Sequence, residues 1–297
     1  MKKTIIYLLL VIGSVMPRLV FAQDDLLKMI GEDKQGKQRV KYAFKSPRVI
    51  NCHSIEFLNP GTMDFRILHR FGEVNQGYKN FFGLDQASMR LGLDFGILHN
   101  LMVGIGRSTY KKEVDGFIKY APVRQTTGDK VMPVTIALVA GMMIDGAPWT
   151  DPYRKNYFTS RLAYSFQALI GRKFSESFTL QVAPTLIHNN LVVLDATPND
   201  VYALGIGGRL KLSKRIAFTW DYSHVIKPAL DSGYYNPLSL GFDIETGGHV
   251  FQLHFSNSTG MNERAFITET RGSWAKGDIR FGFNLSRVFQ IKKKKIE

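Results

Sequence analysis

The chain has 297 residues, a formal net charge of +14 and one cysteine, Cys52. A single cysteine excludes an internal disulfide framework, and past the first residues no apolar run reaches the ~18 residues of a membrane-crossing helix. The basic balance points to anionic lipid or lipopolysaccharide head groups as counter-charges, while the export signal described next argues against nucleic acid.

Residues 1–22 read as a cleaved signal peptide: Lys2 and Lys3 precede the apolar stretch Thr4–Val15, and Val20-Phe21-Ala22 offers a cleavage site. Residues 23–61 follow as an N-terminal arm, polar from Asp24 to Gln38 and irregular from Pro47 to Pro60. The arm fits a periplasmic extension, a lumen plug, or two further strands around Val40, Tyr42 and Phe44.

From residue 62 to 289 the dominant signal is period-two alternation. Met89, Leu91, Leu93 and Phe95 alternate with Arg90, Gly92 and Asp94. Phe158–Ile170, Ile216–Tyr222, Leu238–Ile244 and Ile279–Leu285 repeat the pattern. Helices place apolar residues three and four apart, so these segments are strands. Weaker alternation marks 62–71, 101–110, 113–122, 133–142, 178–188, 201–212 and 249–256. The reading is all-β: about 12 antiparallel strands (roughly 10–14), each long enough for a tilted strand to cross a bilayer.

Connections alternate too. Short links at 98–100, 172–177, 213–215 and 246–248 fall between long links at 72–86, 143–157, 189–200, 225–237 and 257–277. This is the pattern of periplasmic turns and external loops in outer-membrane barrels. Lys111-Lys112 gives a short link where a long one is due, and 123–132 is longer than a tight turn. Aromatic residues near strand ends, such as Phe71, Tyr120, Tyr202 and Phe289, suit interfacial girdles. The loop 257–277 carries Met261, Phe266, Ile267 and Trp274 and is apolar enough to fold into the barrel mouth. Residues 290–297 form a basic C-terminal tail.

Four segments, Asp64–Gly72, Leu101–Tyr110, Gly241–Met261 (GFDIETGGHVFQLHFSNSTGM) and Gly277–Phe289, carry a family resemblance. Together they resemble an uncharacterised outer-membrane β-barrel family of Bacteroidetes-type bacteria, a domain of unknown function. The resemblance spans about residues 40 to 289. It implies a barrel in the bacterial outer membrane and brings with it no substrate or catalytic residue.

With the apolar faces against lipid, the polar faces line a lumen. Arg66, Arg90, Asp94, Arg161, Asp243, Glu245, His254 and Arg280 are the lining and binding candidates. Arg70, Lys119, Arg209 and Lys211 add positive charge, and Asp64, Asp115, Asp221 and Asp278 add negative charge. The near-balance of sign argues for paired charges over a strongly ion-selective bore. His254, Ser256 and Asn257 are the one constellation with the residue types of acyl transfer, and the lipid hydrolase they suggest is the main alternative. Against it, the two side chains should face the lumen rather than lipid. Cys52 and His53 are adjacent and lack a second ligand cluster, so no metal and no cofactor is expected. The expected function is a non-catalytic outer-membrane barrel for passage or binding of a small solute, or a structural role; the remaining alternative is a soluble periplasmic barrel that binds a ligand.

Overall fold

The structure is a computed structural model that describes residues 36–129, 131–149, 151–192, 198–228, 232–246 and 249–292. The predicted signal peptide, the arm before residue 36 and the tail beyond 292 lie outside the described residues.

The strands are β1 (Gln38–Arg39), β2 (Thr62–Glu73), β3 (Ala87–Leu98), β4 (Leu101–Ser108), β5 (Val114–Val123), β6 (Thr126–Thr127) and β7 (Thr135–Ile144). They continue as β8 (Leu162–Lys173), β9 (Phe178–Asn189), β10 (Asp200–Lys211), β11 (Ile216–Lys227), β12 (Leu238–Thr246), β13 (His249–Ser256) and β14 (Arg280–Gln290). All but β1 and β6 form one closed antiparallel barrel of 12 strands, with β14 pairing β2. Closure leaves no open sheet edge, the condition for backbone to lie in lipid.

Alternate residues of each strand behave differently. Leu91, Ile105, Ile118, Leu138, Phe166, Tyr202 and Phe242 are exposed on the outer surface. Their neighbours Arg90, Lys119, Val139, Gln167, Ala203 and Asp243 are buried inside. An apolar belt turned outward all round suits lipid and not water, which sets the soluble-barrel alternative aside. The closing seam carries an outward aromatic stack. His69 lies 4.8 Å from Phe283 and Phe71 lies 5.9 Å from Phe281, ring centre to ring centre, with Phe251 a further 5.8 Å from Phe283. Cross-strand aromatic pairs of this kind fix register where the first and last strands must find each other.

Both ends of the barrel chain, Thr62 and Gln290, share the rim that carries the short turns, which is the periplasmic rim in barrels of this type. The long 123–135 connection lies on that rim. Its β6 pairs β1, and the Val40 amide donates to the Gln125 carbonyl at 3.0 Å, so the link is long because it holds the arm.

One strand starts later than its alternation suggests. Phe158–Arg161 form a 3-10 turn, and β8 begins at Leu162. Arg161 is therefore not a lumen residue. Its guanidinium donates to the carbonyls of Asp145 (2.8 Å) and Ala147 (2.6 Å) and lies 3.9 Å over the Trp149 ring, tying an external loop together.

Candidate functional site

The interior is filled from both ends. Between Ala43 and Leu58 only Lys45 and Glu56 escape full burial, so this stretch of the arm runs inside the barrel. From the opposite rim, the loop after β13 turns inward and carries a short helix, α1 (Glu263–Thr268). Asn262 caps α1, its side chain accepting from the Ala265 amide at 2.9 Å. Met261, Phe266 and Ile267 are buried.

The tip of the arm is a tight turn. Arg48 and His53 form an isolated antiparallel bridge, and the Val49 amide donates to the Cys52 carbonyl at 2.8 Å. This turn aims the amides of Ile50, Asn51 and Cys52 at one carboxylate oxygen of Asp221 on β11, at 3.2, 2.7 and 3.1 Å. Three converging amides form a nest for an anion, and charge-assisted bonds of this kind are roughly twice as strong as neutral ones.

Other wall residues also bond the arm's backbone. Gln181 donates to the His53 carbonyl (2.6 Å) and accepts from the Ile55 amide (2.9 Å). Gln252 donates to the Val49 carbonyl at 2.6 Å, Asn284 to that of Ile50 at 3.2 Å, and Lys119 to that of Glu56 at 2.6 Å. An apolar cluster completes the seat. Phe44, Val49, Ile55, Phe57 and Leu58 pack with Met102, Phe117, Ala121, Ala137, Val139, Leu169 and Ala183 of the wall.

Arm and loop meet in the middle. Arg48 donates to Glu263 of α1 at 2.8 Å. Arg70 of β2 donates to the Asn51 side chain (2.6 Å) and to the carbonyls of Ser258 (2.8 Å) and Gly260 (3.0 Å), bridging the two inserts. At the outer end, Glu113 accepts from Arg264 and Asn262, and Glu269 accepts from Arg264 (2.6 Å) and Lys111 (2.5 Å). Burial alone raises the Glu269 carboxyl, but the Arg264 and Lys111 charges overcome it and hold it below the usual range. The short Lys111-Lys112 link is thus where the inward loop is tied down.

The predicted lining residues divide by position. Arg66, Arg90, Asp94, Asp243 and His254 are buried in the lumen. Arg66 donates to Ser46 of the arm (2.5 Å), Arg90 is paired with Asp115, and Asp243 accepts from Gln252 (2.5 Å). Asp94 lies opposite Gly104 on the β3–β4 ladder, and the Arg90 guanidinium lies over Gly106, which pairs with Gly92; a side chain at either glycine would collide with the charged group. Glu245 sits at the periplasmic rim with Lys45 (2.9 Å), and Arg280 at the outer rim with Glu73 (2.5 Å).

The hydrolase constellation is dispersed by its partners. His254 Nε2 faces the Arg70 guanidinium at 3.3 Å. The Ser256 hydroxyl accepts from Ser239 (2.9 Å) and from the Ser258 amide (3.2 Å). Asn257 spends its amide on the carbonyls of Asn236 and Gly272 and accepts from Leu238. Among the described residues no hydrogen bond joins His254 to Ser256, and all three residues are buried away from lipid. Cys52 Sγ lies 3.9 Å from Ser223 Oγ, and His53 lies edge-on to Phe117 with Nε2 3.3 Å from Glu263. Among the described residues no group of three His, Cys, Asp or Glu converges on one point.

No curated protein matches the chain. Among solved structures it is similar to the NanC porin, at 9% identity and a TM-score of 0.49 over 76% of this chain and 98% of that one. It is similar also to Omp33 of Acinetobacter baumannii (10% identity, TM-score 0.41, 77% of this chain and 98% of that one). A third is the COG4313 outer membrane channel of Pseudomonas putida F1 (12%, TM-score 0.38, 78% and 97%). Likenesses this distant carry no argument about a solute. The family model of the membrane bound beta barrel domain (DUF5777) matches residues 44–289, which take in the arm's buried stretch as well as all 12 barrel strands. The chain therefore belongs to this family of membrane-bound β-barrels and is an outer-membrane protein.

Proposed function

We propose that this protein is a gated, non-catalytic conduit for small polar solutes, closed in the observed state by the arm and the inward loop. One observation supports it above the others: beside pairs within the wall such as Arg90 with Asp115, a set of polar wall groups spends its hydrogen bonds on the backbone of the inserts. Asp221 accepts from backbone amides of residues 50–52, Gln181 accepts from the Ile55 amide and donates to the His53 carbonyl, and Lys119 and Arg70 donate to the carbonyls of Glu56 and Ser258. A permanently solid interior is served as well by wall residues that pair across strands or by an apolar fill. A wall whose polar groups face a separate segment of chain exchanges those bonds for water when that segment leaves, and remains a hydrated bore.

Planar-bilayer recording tests this reading. The full-length protein is expected to stay mostly closed with rare openings, and a chain lacking residues 36–58 to conduct steadily. Absence of current from both, together with no solute uptake into liposomes holding the folded full-length protein, contradicts the proposal.

A further inference from the structure

At the periplasmic mouth the arm and the barrel enclose a second feature that the gate does not use. A cavity of about 270 Å³ lies between residues 39–47 and 56–59 of the arm and the ends of β2, β13 and β14. Phe44, Phe57, Val250 and Val288 give it an apolar floor. Arg39, Lys41 and Arg124 line it as well, and among the described residues none of the three has a carboxylate within ion-pair distance. Lys45, the fourth cation, is already paired with Glu245.

We propose that this cavity binds a small organic anion, its charge against Arg124 and Arg39 and its apolar or aromatic body against the phenylalanines. Arg124 is the principal cation of the site. It is half-buried, it lies 4.7 Å over the Phe57 ring, and among the described residues its side chain makes one hydrogen bond, a long donation to the His99 carbonyl at 3.4 Å. Most of its donor fork is therefore uncommitted, in a geometry suited to a bidentate carboxylate. Burial disfavours its charge, and the Glu56 carboxylate, which also borders the cavity, offsets this only in part, so an anion on the open side of the guanidinium adds to that support. Asp64 also borders the cavity but is occupied by the Ser286 hydroxyl, whose oxygen lies 2.6 and 2.7 Å from its two oxygens, and by Arg66 at 3.3 Å. Tyr42 marks the rim. It holds a left-handed φ of 58°, a conformation that a bulky residue keeps only where its surroundings impose it, with Lys45 4.9 Å over its ring. The volume suits a ligand of about the size of benzoate, just under the common range for small-molecule pockets. This site stands whether or not the barrel conducts.

The test is calorimetric titration of the full-length protein in detergent with benzoate, benzyl alcohol and benzylamine. Benzoate is expected to bind saturably, at least about ten-fold tighter than the alcohol, with no binding of the amine. Arg124→Gln should cost about ten-fold or more in benzoate affinity. Arg39→Gln alters an exposed side chain, and should weaken binding several-fold while leaving the circular dichroism spectrum unchanged. Equal binding of benzoate and the alcohol, no binding of benzoate, or unaltered affinity in both variants overturns the proposal.

Discussion

The two sides of the lumen hold the same arm by different physics. From β4 to β9 the inward residues include Met102, Phe117, Val139 and Leu169, and the arm meets them with Phe44, Ile55 and Phe57, Lys119 and Gln181 being the polar exceptions that bond its backbone. From β11 through β14 to β2 the inward residues are Asp221, Ser239, Gln252, Asn284 and Arg70, and the arm meets them with amides and carbonyls. Apolar burial is non-directional and grows with area, so the first side supplies most of the holding force. Hydrogen bonds exchange with water at little net gain but are costly to misplace, so the second side sets the register. An insert held this way docks in one position and can still leave into a hydrated bore.

Cys52 makes the comparison measurable, because it is the only cysteine, is buried at the arm's tip and reacts with a maleimide only when the arm moves. The largest effect is expected from Phe44→Ala on the apolar side, where removal of a buried phenylalanine costs about 3–5 kcal/mol. Cys52 labelling should accelerate by two orders of magnitude or more, on the order of the tenfold per 1.4 kcal/mol expected of such a loss. On the polar side, Asp221→Ala removes the shared acceptor of three amides, and with water entering the space the carboxylate leaves it should cost about 1–3 kcal/mol, with Asp221→Asn milder because an oxygen remains. If Asp221→Ala exceeds Phe44→Ala in labelling rate, the division of labour is reversed.

A smaller effect is expected from pH. Burial pushes the His53 imidazole well below its usual range, and Arg48, Lys119, Arg90 and Arg66 push it further, while Glu263 at 3.3 Å does not compensate. The docked arm thus keeps His53 neutral, whereas the released arm protonates it near the ordinary value of about 6.5. The released state then binds more protons, so docking is fully stable above that value and weakens as pH falls below it. Glu56 acts the other way: burial raises its carboxyl, so its docked form favours the proton and it stabilises docking toward acid. Labelling rates, normalised to the unfolded chain at each pH, should rise below about pH 6.5, and His53→Gln should flatten that rise. The smallest effect is expected at Lys111→Ala. It breaks a rim ion pair with Glu269 that is partly open to water, and such pairs are worth under about 1 kcal/mol. Loss of more than that in an unfolding titration would place the outer insert, not the arm, in control.

The barrel was legible because lipid and lumen impose opposite chemistry on alternate residues, and a period of two survives in sequence. Strands β3 and β12 show it plainly, with Arg90 and Asp94 or Asp243 facing in. Among the strands that read weakly, β4, β7 and β9 carry Met102, Val139 and Ala183 on inner faces that pack on the arm, and apolar residues on both faces blur the alternation. The arm could not be placed from sequence because its turn at 48–53 follows no period; its order comes from Asp221, some 170 residues away. Arg161 misled because the residues before it keep the alternation while the backbone tightens into a 3-10 turn. The pairings of Arg48 with Glu263 and of Arg70 with both inserts join segments that no local pattern connects.

The most direct test of a moving arm locks it in place. Cys52 and Ser223 already face each other across 3.9 Å, so Ser223→Cys places a second thiol where a disulfide to β11 needs only a small shift. Current is to be recorded from Ser223→Cys in the Phe44→Ala background, oxidised and then reduced in the same bilayer. Silence when oxidised and conduction after reduction is the predicted result. Equal current in both states would contradict an arm that must leave for the barrel to open.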